Sequence, residues 1–266
     1  MEINRNNIFD LMGITGVKPS KDFGQNFLVE PAICRHISDI LVTSDNDLIL
    51  EVGPGLGSLT NFLNEKEGTL ECVDIDPKMI SVLTEVYKNS NITFINNDIR
   101  KVELDKYTRI IGNLPYNITT ELVVHLLLNA PNCKQFVFMI QAEALNRFVD
   151  ISGKDYGPAS VLIHLLGKIK KEFIVKAGSF YPAPKCNSVV FQIYREEKHD
   201  FELAKSVYMM TKRLFLNRRK TLMNNLSNAF GREKAIEVIE TLGLKETIRP
   251  EEISPEKFIE IYNVIK

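Results

Sequence analysis

A chain of 266 residues, 44% hydrophobic and 25% charged, can bury a large core and form one big domain beside a smaller one. Its net charge of −1 excludes a globally basic nucleic-acid binder, so any nucleic-acid function rests on a local basic patch. No stretch is apolar for long enough to span a bilayer, and the N-terminus lacks the layout of a signal peptide, so we expect no membrane association and a cytoplasmic location.

The four cysteines (Cys34, Cys72, Cys133, Cys186) lie far apart with no Cys-x-x-Cys pair. They read as buried thiols in a reducing compartment, and no metal site is expected. Residues 3–14 predict a short amphipathic helix, with Ile8, Leu11 and Met12 on one face. Residues 19–28 form a polar loop punctuated by Phe23 and Phe27. It reads either as a surface loop whose aromatics tuck into the core, or as a lid whose Gln25 and Asn26 reach a polar ligand.

A helix over about 31–42 leads into the strand Leu48–Val52, and Gly53-Pro54-Gly55-Leu56-Gly57 follows directly. Glycines there let the backbone turn sharply and approach a ligand at the N-terminus of the next helix. The next strand, Thr69–Asp74, ends in an acid placed to accept both ribose hydroxyls of a bound nucleoside. A glycine loop with a strand-end acid suits NAD or S-adenosylmethionine, and the spacing separates them. Dinucleotide loops read G-x-G-x-x-G, whereas Ser58 and Leu59 stand where the third glycine would fall. Glu51, which begins the motif, suits a cationic sulfonium and amino group better than a pyrophosphate. We therefore expect S-adenosylmethionine, held by Glu51, Gly53, Gly55, Gly57 and Asp74.

A strand over 92–98 ends in Asp98, which either accepts from the cofactor's adenine amine or caps a turn. The apolar run to Ile110-Ile111 reads as a buried parallel strand that Gly112 ends. Asn113-Leu114-Pro115-Tyr116 then forms a turn before a helix over about 120–128. An exocyclic base amine is a poor nucleophile, because its lone pair is conjugated into the ring. Two acceptors aimed at its N–H groups free that lone pair, and Asn113 and the Leu114 carbonyl can supply them. Pro115 stiffens the turn, and Tyr116 offers a face for a flipped base to stack on. An ordinary strand-to-helix turn is the alternative.

Residues 136–140 form a fifth buried strand, and 173–175 and 188–194 read as further strands, the last closing the sheet. Between these two, Phe180-Tyr181-Pro182-Ala183-Pro184-Lys185 is a stiff loop. It either packs structurally or brings Phe180 against the target base opposite Tyr116. From Glu196 the pattern becomes helical, over about 200–213, 217–229, 232–241 and 255–265. This predicts a catalytic domain over 1–196 and a small RNA- or ribosome-docking bundle over 197–266. Lys212, Arg213, Arg218, Arg219 and Lys220 are the densest basic cluster, either a solvated helix face or a phosphate-binding surface.

Seven segments together carry a resemblance. They are Phe-Gly-Gln-Asn-Phe-Leu (23–28), Glu-Val-Gly-Pro-Gly-Leu-Gly (51–57), Val-Asp-Ile-Asp (73–76), Asn-Leu-Pro-Tyr-Asn-Ile (113–118), Phe-Tyr-Pro-Ala-Pro-Lys (180–185), Arg-Arg-Lys-Thr (218–221) and Arg-Pro-Glu-Glu-Ile-Ser (249–254). In order and over nearly the whole chain, they resemble the KsgA-type rRNA adenine N6,N6-dimethyltransferases. The resemblance implies an α/β class I S-adenosylmethionine-dependent methyltransferase fold, Rossmann-like with a mostly parallel sheet, and a small all-helical C-terminal domain. It implies dimethylation of two adjacent adenosines near the 3′ end of 16S rRNA, with a role in small-subunit biogenesis. The partners implied are that rRNA and the 30S subunit or its precursor, and we expect a monomer. Residues matching Asn26, Leu28, Gly53, Asp74, Asp98 and Asn113 contact the cofactor in that family. Many members have Glu where this chain has Asp74, and the shorter acid can still accept ribose hydroxyls. The alternatives are an Erm-like 23S rRNA methyltransferase, which shares the Asn-Leu-Pro-Tyr type of turn, and a non-catalytic ribosome-assembly factor.

Overall fold

The computed structural model of the chain describes residues 3–4, 6–16, 18–20, 24–196 and 198–266. The expectations for Lys21, Asp22 and Phe23, and for the side chain of Leu11, lie outside the described residues. Two compact units result, one of residues 1–143 with 170–194, the other of 144–169 with 195–266.

In chain order the first unit contains α1 (Ile8–Thr15), β1 (Phe27–Leu28), α2 (Pro31–Ile40), β2 (Leu48–Val52), α3 (Thr60–Leu63), β3 (Thr69–Asp74), α4 (Pro77–Val86), β4 (Thr93–Asn96), β5 (Arg109–Asn113), α5 (Thr119–Asn129) and β6 (Gln135–Gln141). After α6 (Asn146–Val149) and α7 (Pro158–Leu166) come β7 (Gly167–Val175), β8 (Phe180–Tyr181) and β9 (Ser188–Arg195). The main sheet has the order β4-β3-β2-β5-β6-β9-β7. Its first five strands are parallel, and β9 runs antiparallel to β6. The expectation that 188–194 closes the sheet is corrected: β9 lies inside it, and β7 is the edge. Near-continuous apolar runs such as Ile49-Leu50 and 136–140 form central strands because both sheet faces are covered.

From β2 the chain first builds outward through β3 and β4, then returns to place β5 on the other side of β2. The crevice at the carboxyl ends of β2 and β5 is therefore the point where strand order reverses, the general ligand position in such sheets. Gly112 does not end β5, as the sequence suggested; it pairs with Val52 inside the strand. A Cβ at Gly112 would stand 2.6 Å from the Val52 carbonyl oxygen. Its glycine identity thus reflects strand-to-strand approach rather than a turn. A second, two-stranded sheet joins β1 to β8, with Phe27 opposite Tyr181 and Leu28 opposite Phe180.

The second unit adds α8 (Phe201–Leu214), α9 (Leu222–Phe230), α10 (Arg232–Thr241) and α11 (Pro255–Ile265). Buried Tyr156, Phe215 and Phe258 stack edge-on or tilted at its centre, with ring centroids 5.8 and 5.9 Å apart. The sequence break at 196–197 leaves 144–169 with the other unit, yet α7 packs on α8 and α11. Residues 217–220 form a turn, closed by the Lys220 N–H donating to the Asn217 carbonyl at 2.9 Å. Thr221 then caps α9 by accepting from the Asn224 N–H. The expected helix from 217 therefore begins at Leu222. No helix of the described residues is long and apolar enough to cross a membrane.

Candidate active site

The reversal point opens into a cleft whose empty volume, counted out to its solvent-facing mouth, is about 1090 Å³. One wall is the glycine loop after β2. Gly53 and Gly55 adopt φ of 67° and 56°, which side-chain-bearing residues rarely tolerate. The Gly53 N–H donates to the Val73 carbonyl at 2.9 Å, folding the loop over the end of β3. There Asp74 accepts from the Gly55 N–H at 3.2 Å through one oxygen and from the Asp76 N–H at 2.9 Å through the other. Asp74 is 8% exposed, and its burial raises the carboxyl to about 6.

Glu51 reaches the same cleft while only 1% exposed. Its carboxylate accepts from the Thr60 hydroxyl at 2.7 Å and the Cys72 thiol at 3.4 Å. Desolvation outweighs these bonds and raises Glu51 to about 7. Asp98 sits at the far wall, where Arg100 clamps both oxygens, with Nη2 at 2.6 Å from Oδ2. That hydrogen bond to Arg100 outweighs the desolvation and lowers the carboxyl below its ordinary range. Its carboxylate also caps the 3-10 turn Ile99–Lys101, which is the capping reading of Asp98.

The Asn113-Leu114-Pro115-Tyr116 turn forms the remaining wall. The Leu114 N–H donates to the Met139 carbonyl at 3.0 Å, and the Thr119 hydroxyl donates to the Pro115 carbonyl at 3.1 Å. Both bonds tie the turn to elements whose backbone is already set. The Asn113 Nδ2 group donates to the Asn26 carbonyl at 3.2 Å. Its Oδ1 is buried and has no hydrogen-bond partner among the described residues. Such an orphaned acceptor carries a desolvation cost of about 1–3 kcal/mol. Tyr116 faces the cleft, and its hydroxyl meets the Ser188 hydroxyl at 2.7 Å.

Gln25, Asn26 and Leu28 also line the cleft. Gln25 accepts from the Ser20 N–H at 2.8 Å and donates to Asp76 at 3.1 Å, pinning the loop to the start of α4. Two expected residues are not on the wall. Gly57 has φ of 93°, and a Cβ there would meet Leu83 Cδ2 at 2.8 Å, so it serves the approach of α4 to the loop. Phe180 is 3% exposed and packs in the core with Leu28, Val175 and Val190, which corrects its expected place beside the base.

The basic cluster belongs to the second unit. Arg218 donates through Nη2 to the Gly153 and Tyr156 carbonyls at 3.1 and 2.8 Å and so ties that loop down. Arg213 donates to the Ala229 carbonyl and lies over the Phe230 ring at 4.4 Å. Lys212 lies over Tyr208 at 5.8 Å, while Arg219 and Lys220 are exposed in the 217–220 turn. Sequence reasoning missed Arg100, Ser188 and the exposed Ile75, which lines the cleft beside Asp74. An apolar residue directly after a strand-end acid was the available signal for Ile75; nothing local marked Ser188.

The profile of the family described as ribosomal RNA adenine dimethylase matches residues 16–266. A relative from Metamycoplasma arthritidis, named ribosomal RNA small subunit methyltransferase A, is 37% identical over 248 residues, covering 92% of this chain and 95% of its own. The protein of the same name from Streptococcus sanguinis is 32% identical over 265 residues, covering 92% and 91%. Among solved structures, a dimethyladenosine transferase from Plasmodium falciparum superposes with a TM-score of 0.76 at 24% identity, over 88% of this chain and 95% of that one. The 23S rRNA methyltransferase ErmE gives 0.69 at 22% identity, over 90% and 99%. At those identities the two structures establish the shared fold.

Proposed function

This chain belongs to the ribosomal RNA adenine dimethylase family and is an S-adenosylmethionine-dependent small-subunit rRNA adenine N6-dimethyltransferase, and we propose that the cleft between β2 and β5 carries its chemistry. The orphaned Asn113 Oδ1, held in place through its own Nδ2, is the observation on which this reading rests. When bound, S-adenosylmethionine supplies an electrophilic sulfonium methyl group. The wall residues fit that molecule: three carboxylates match its cationic end, its ribose and its adenine amine. Asp74 would accept from the ribose hydroxyls, Asp98 would accept from the adenine amine, and Glu51 would lie at the cationic end. Gly53 and Gly55 keep the wall free of side chains, with Gln25, Asn26 and Leu28 covering it.

The target adenine must leave its stack before its amine can be reached. Asn113 Oδ1 and the Leu114 carbonyl accept from N6, drawing the nitrogen toward tetrahedral geometry and freeing its lone pair. Pro115 stiffens that turn, and Tyr116 stacks the ring. Orientation supplies most of the acceleration. As the nitrogen–carbon bond forms, the carbon–sulfur bond would break to leave a neutral thioether. The methylated amine would then lose its proton to solvent, so no side chain need remove it beforehand.

The substrate in this reading is a pair of adjacent adenosines near the 3′ end of 16S rRNA, presented on the 30S subunit or its precursor in the cytoplasm. In this reading the enzyme acts as a monomer, and the methylation belongs to small-subunit biogenesis. The second unit contacts rRNA phosphates through Lys212, Arg213, Arg219 and Lys220, and the exposure of the last two supports that role. Methyl transfer from labelled S-adenosylmethionine to unmethylated small and large ribosomal subunits, supplied separately, is the test. Dimethyladenosine confined to small-subunit RNA is expected. Label in large-subunit RNA, or in neither, would refute the assignment.

A further inference from the structure

The 180–188 segment does not bring Phe180 to the base, yet it touches the site at another point. Ser188 is wholly buried at the start of β9, opposite Gln141 of β6. Its hydroxyl meets that of Tyr116 at 2.7 Å across 72 residues of sequence. The other end of Tyr116 is held by the turn, through the Leu114 N–H on the Met139 carbonyl, also in β6. Backbone and phenol tip are thus both referenced to one central strand, two residues apart. An aromatic side chain free at its tip turns about two side-chain torsions; one held at both ends presents a single plane.

We propose that Ser188 is a positioning residue for methyl transfer, fixing through the Tyr116 hydroxyl the tilt of the ring on which the target adenine stacks. This rests on the reading that Tyr116 is the stacking face. Transfer depends steeply on alignment, and a misplacement near 1 Å can cost about 10²-fold. Loss of one anchoring hydrogen bond should cost less, about ten-fold.

Single-turnover transfer to unmethylated small subunits is measured for Ser188→Ala, Tyr116→Phe, the double variant and Tyr116→Ala, with cofactor Kd by calorimetry. Ser188→Ala and Tyr116→Phe should each slow transfer about ten-fold with cofactor Kd unchanged within two-fold. The double variant should be no slower than either single one, because both remove the same bond. Losses that multiply, or wild-type transfer by Tyr116→Phe, would overturn the proposal. Tyr116→Phe leaves Ser188 in place and so decides the matter even if Ser188→Ala fails to fold. Wild-type transfer by Tyr116→Ala would instead remove the stacking reading itself; an inactive Tyr116→Ala beside a fully active Tyr116→Phe would remove only the anchor.

Discussion

Replacing Asn113 by Ala isolates the group on which the catalytic assignment stands. Among the described residues this side chain makes one hydrogen bond, from Nδ2 to the Asn26 carbonyl at 3.2 Å, and its Oδ1 makes none. Removing the first costs about 1 kcal/mol, while removing a buried orphan acceptor relieves about 1–3 kcal/mol. The two nearly cancel or favour the variant, so stability should hold or rise slightly. In the transition state the balance is different. There Oδ1 accepts from an amine that is becoming cationic, and losing one pre-positioned partner of a developing charge costs about 10²–10³ in turnover, or about 3–4 kcal/mol. Asn113→Ala should therefore slow methyl transfer by that factor, with cofactor Kd changed less than about five-fold and Tm not lowered. Single-turnover transfer, calorimetric cofactor binding and thermal unfolding measure the three quantities. A cofactor Kd weakened as much as turnover would show that Asn113 serves the cofactor instead, and turnover within two-fold of wild type would refute its role altogether.

Burial raises Glu51 from its ordinary 4.5 to about 7, so it contributes stability that is complete below pH 4.5 and lost as pH rises through about 7. That loss is on the order of 3 kcal/mol, and Glu51→Gln should flatten the fall of unfolding free energy between pH 4.5 and 7; an unchanged slope would contradict the burial argument. Arg218→Ala should destabilise the second unit by about 1–3 kcal/mol by removing its charged hydrogen bonds to the Gly153 and Tyr156 carbonyls, without changing the salt dependence of RNA binding. Arg219→Ala with Lys220→Ala should do the reverse, lowering the log–log salt slope by about 1.4–1.8 with Tm unchanged; exchanged results would return Arg218 to the docking surface. Gly112→Ala should cost about 2–4 kcal/mol in chemical denaturation, because its Cβ would lie 2.6 Å from a backbone oxygen that can move only by parting β2 from β5. Gly178→Ala, with nothing within 4 Å, is the control that should leave stability unchanged.

Local pattern was enough for much of this protein. The strands Leu48–Val52 and Thr69–Asp74 have the bounds expected from the sequence, since each apolar run is bounded by a glycine or an acid. The glycine loop, the strand-end acids and the Asn-Leu-Pro-Tyr turn could be named because their chemistry lies in consecutive residues. Their order along the chain was enough to imply the family and its cofactor.

Other features depend on partners far away in sequence. Gly112 looks the same locally whether it ends a strand or lets two strands approach, and only the Val52 carbonyl beside it decides. An arginine in a charge run reads as surface until the carbonyls of Gly153 and Tyr156, more than 60 residues earlier, are seen to hold it. Phe180 reads as a stacking ring until β8 pairs with β1 and turns it into the core. Asn113 offers two hydrogen-bonding ends, and the Asn26 carbonyl, 87 residues away, selects which one stays free. The sequence by itself determined which groups are present and the local backbone that carries them. Tertiary structure alone decided which of those groups are already satisfied and which remain open for chemistry, because a hydrogen bond is set by distance in space and a one-dimensional pattern carries none.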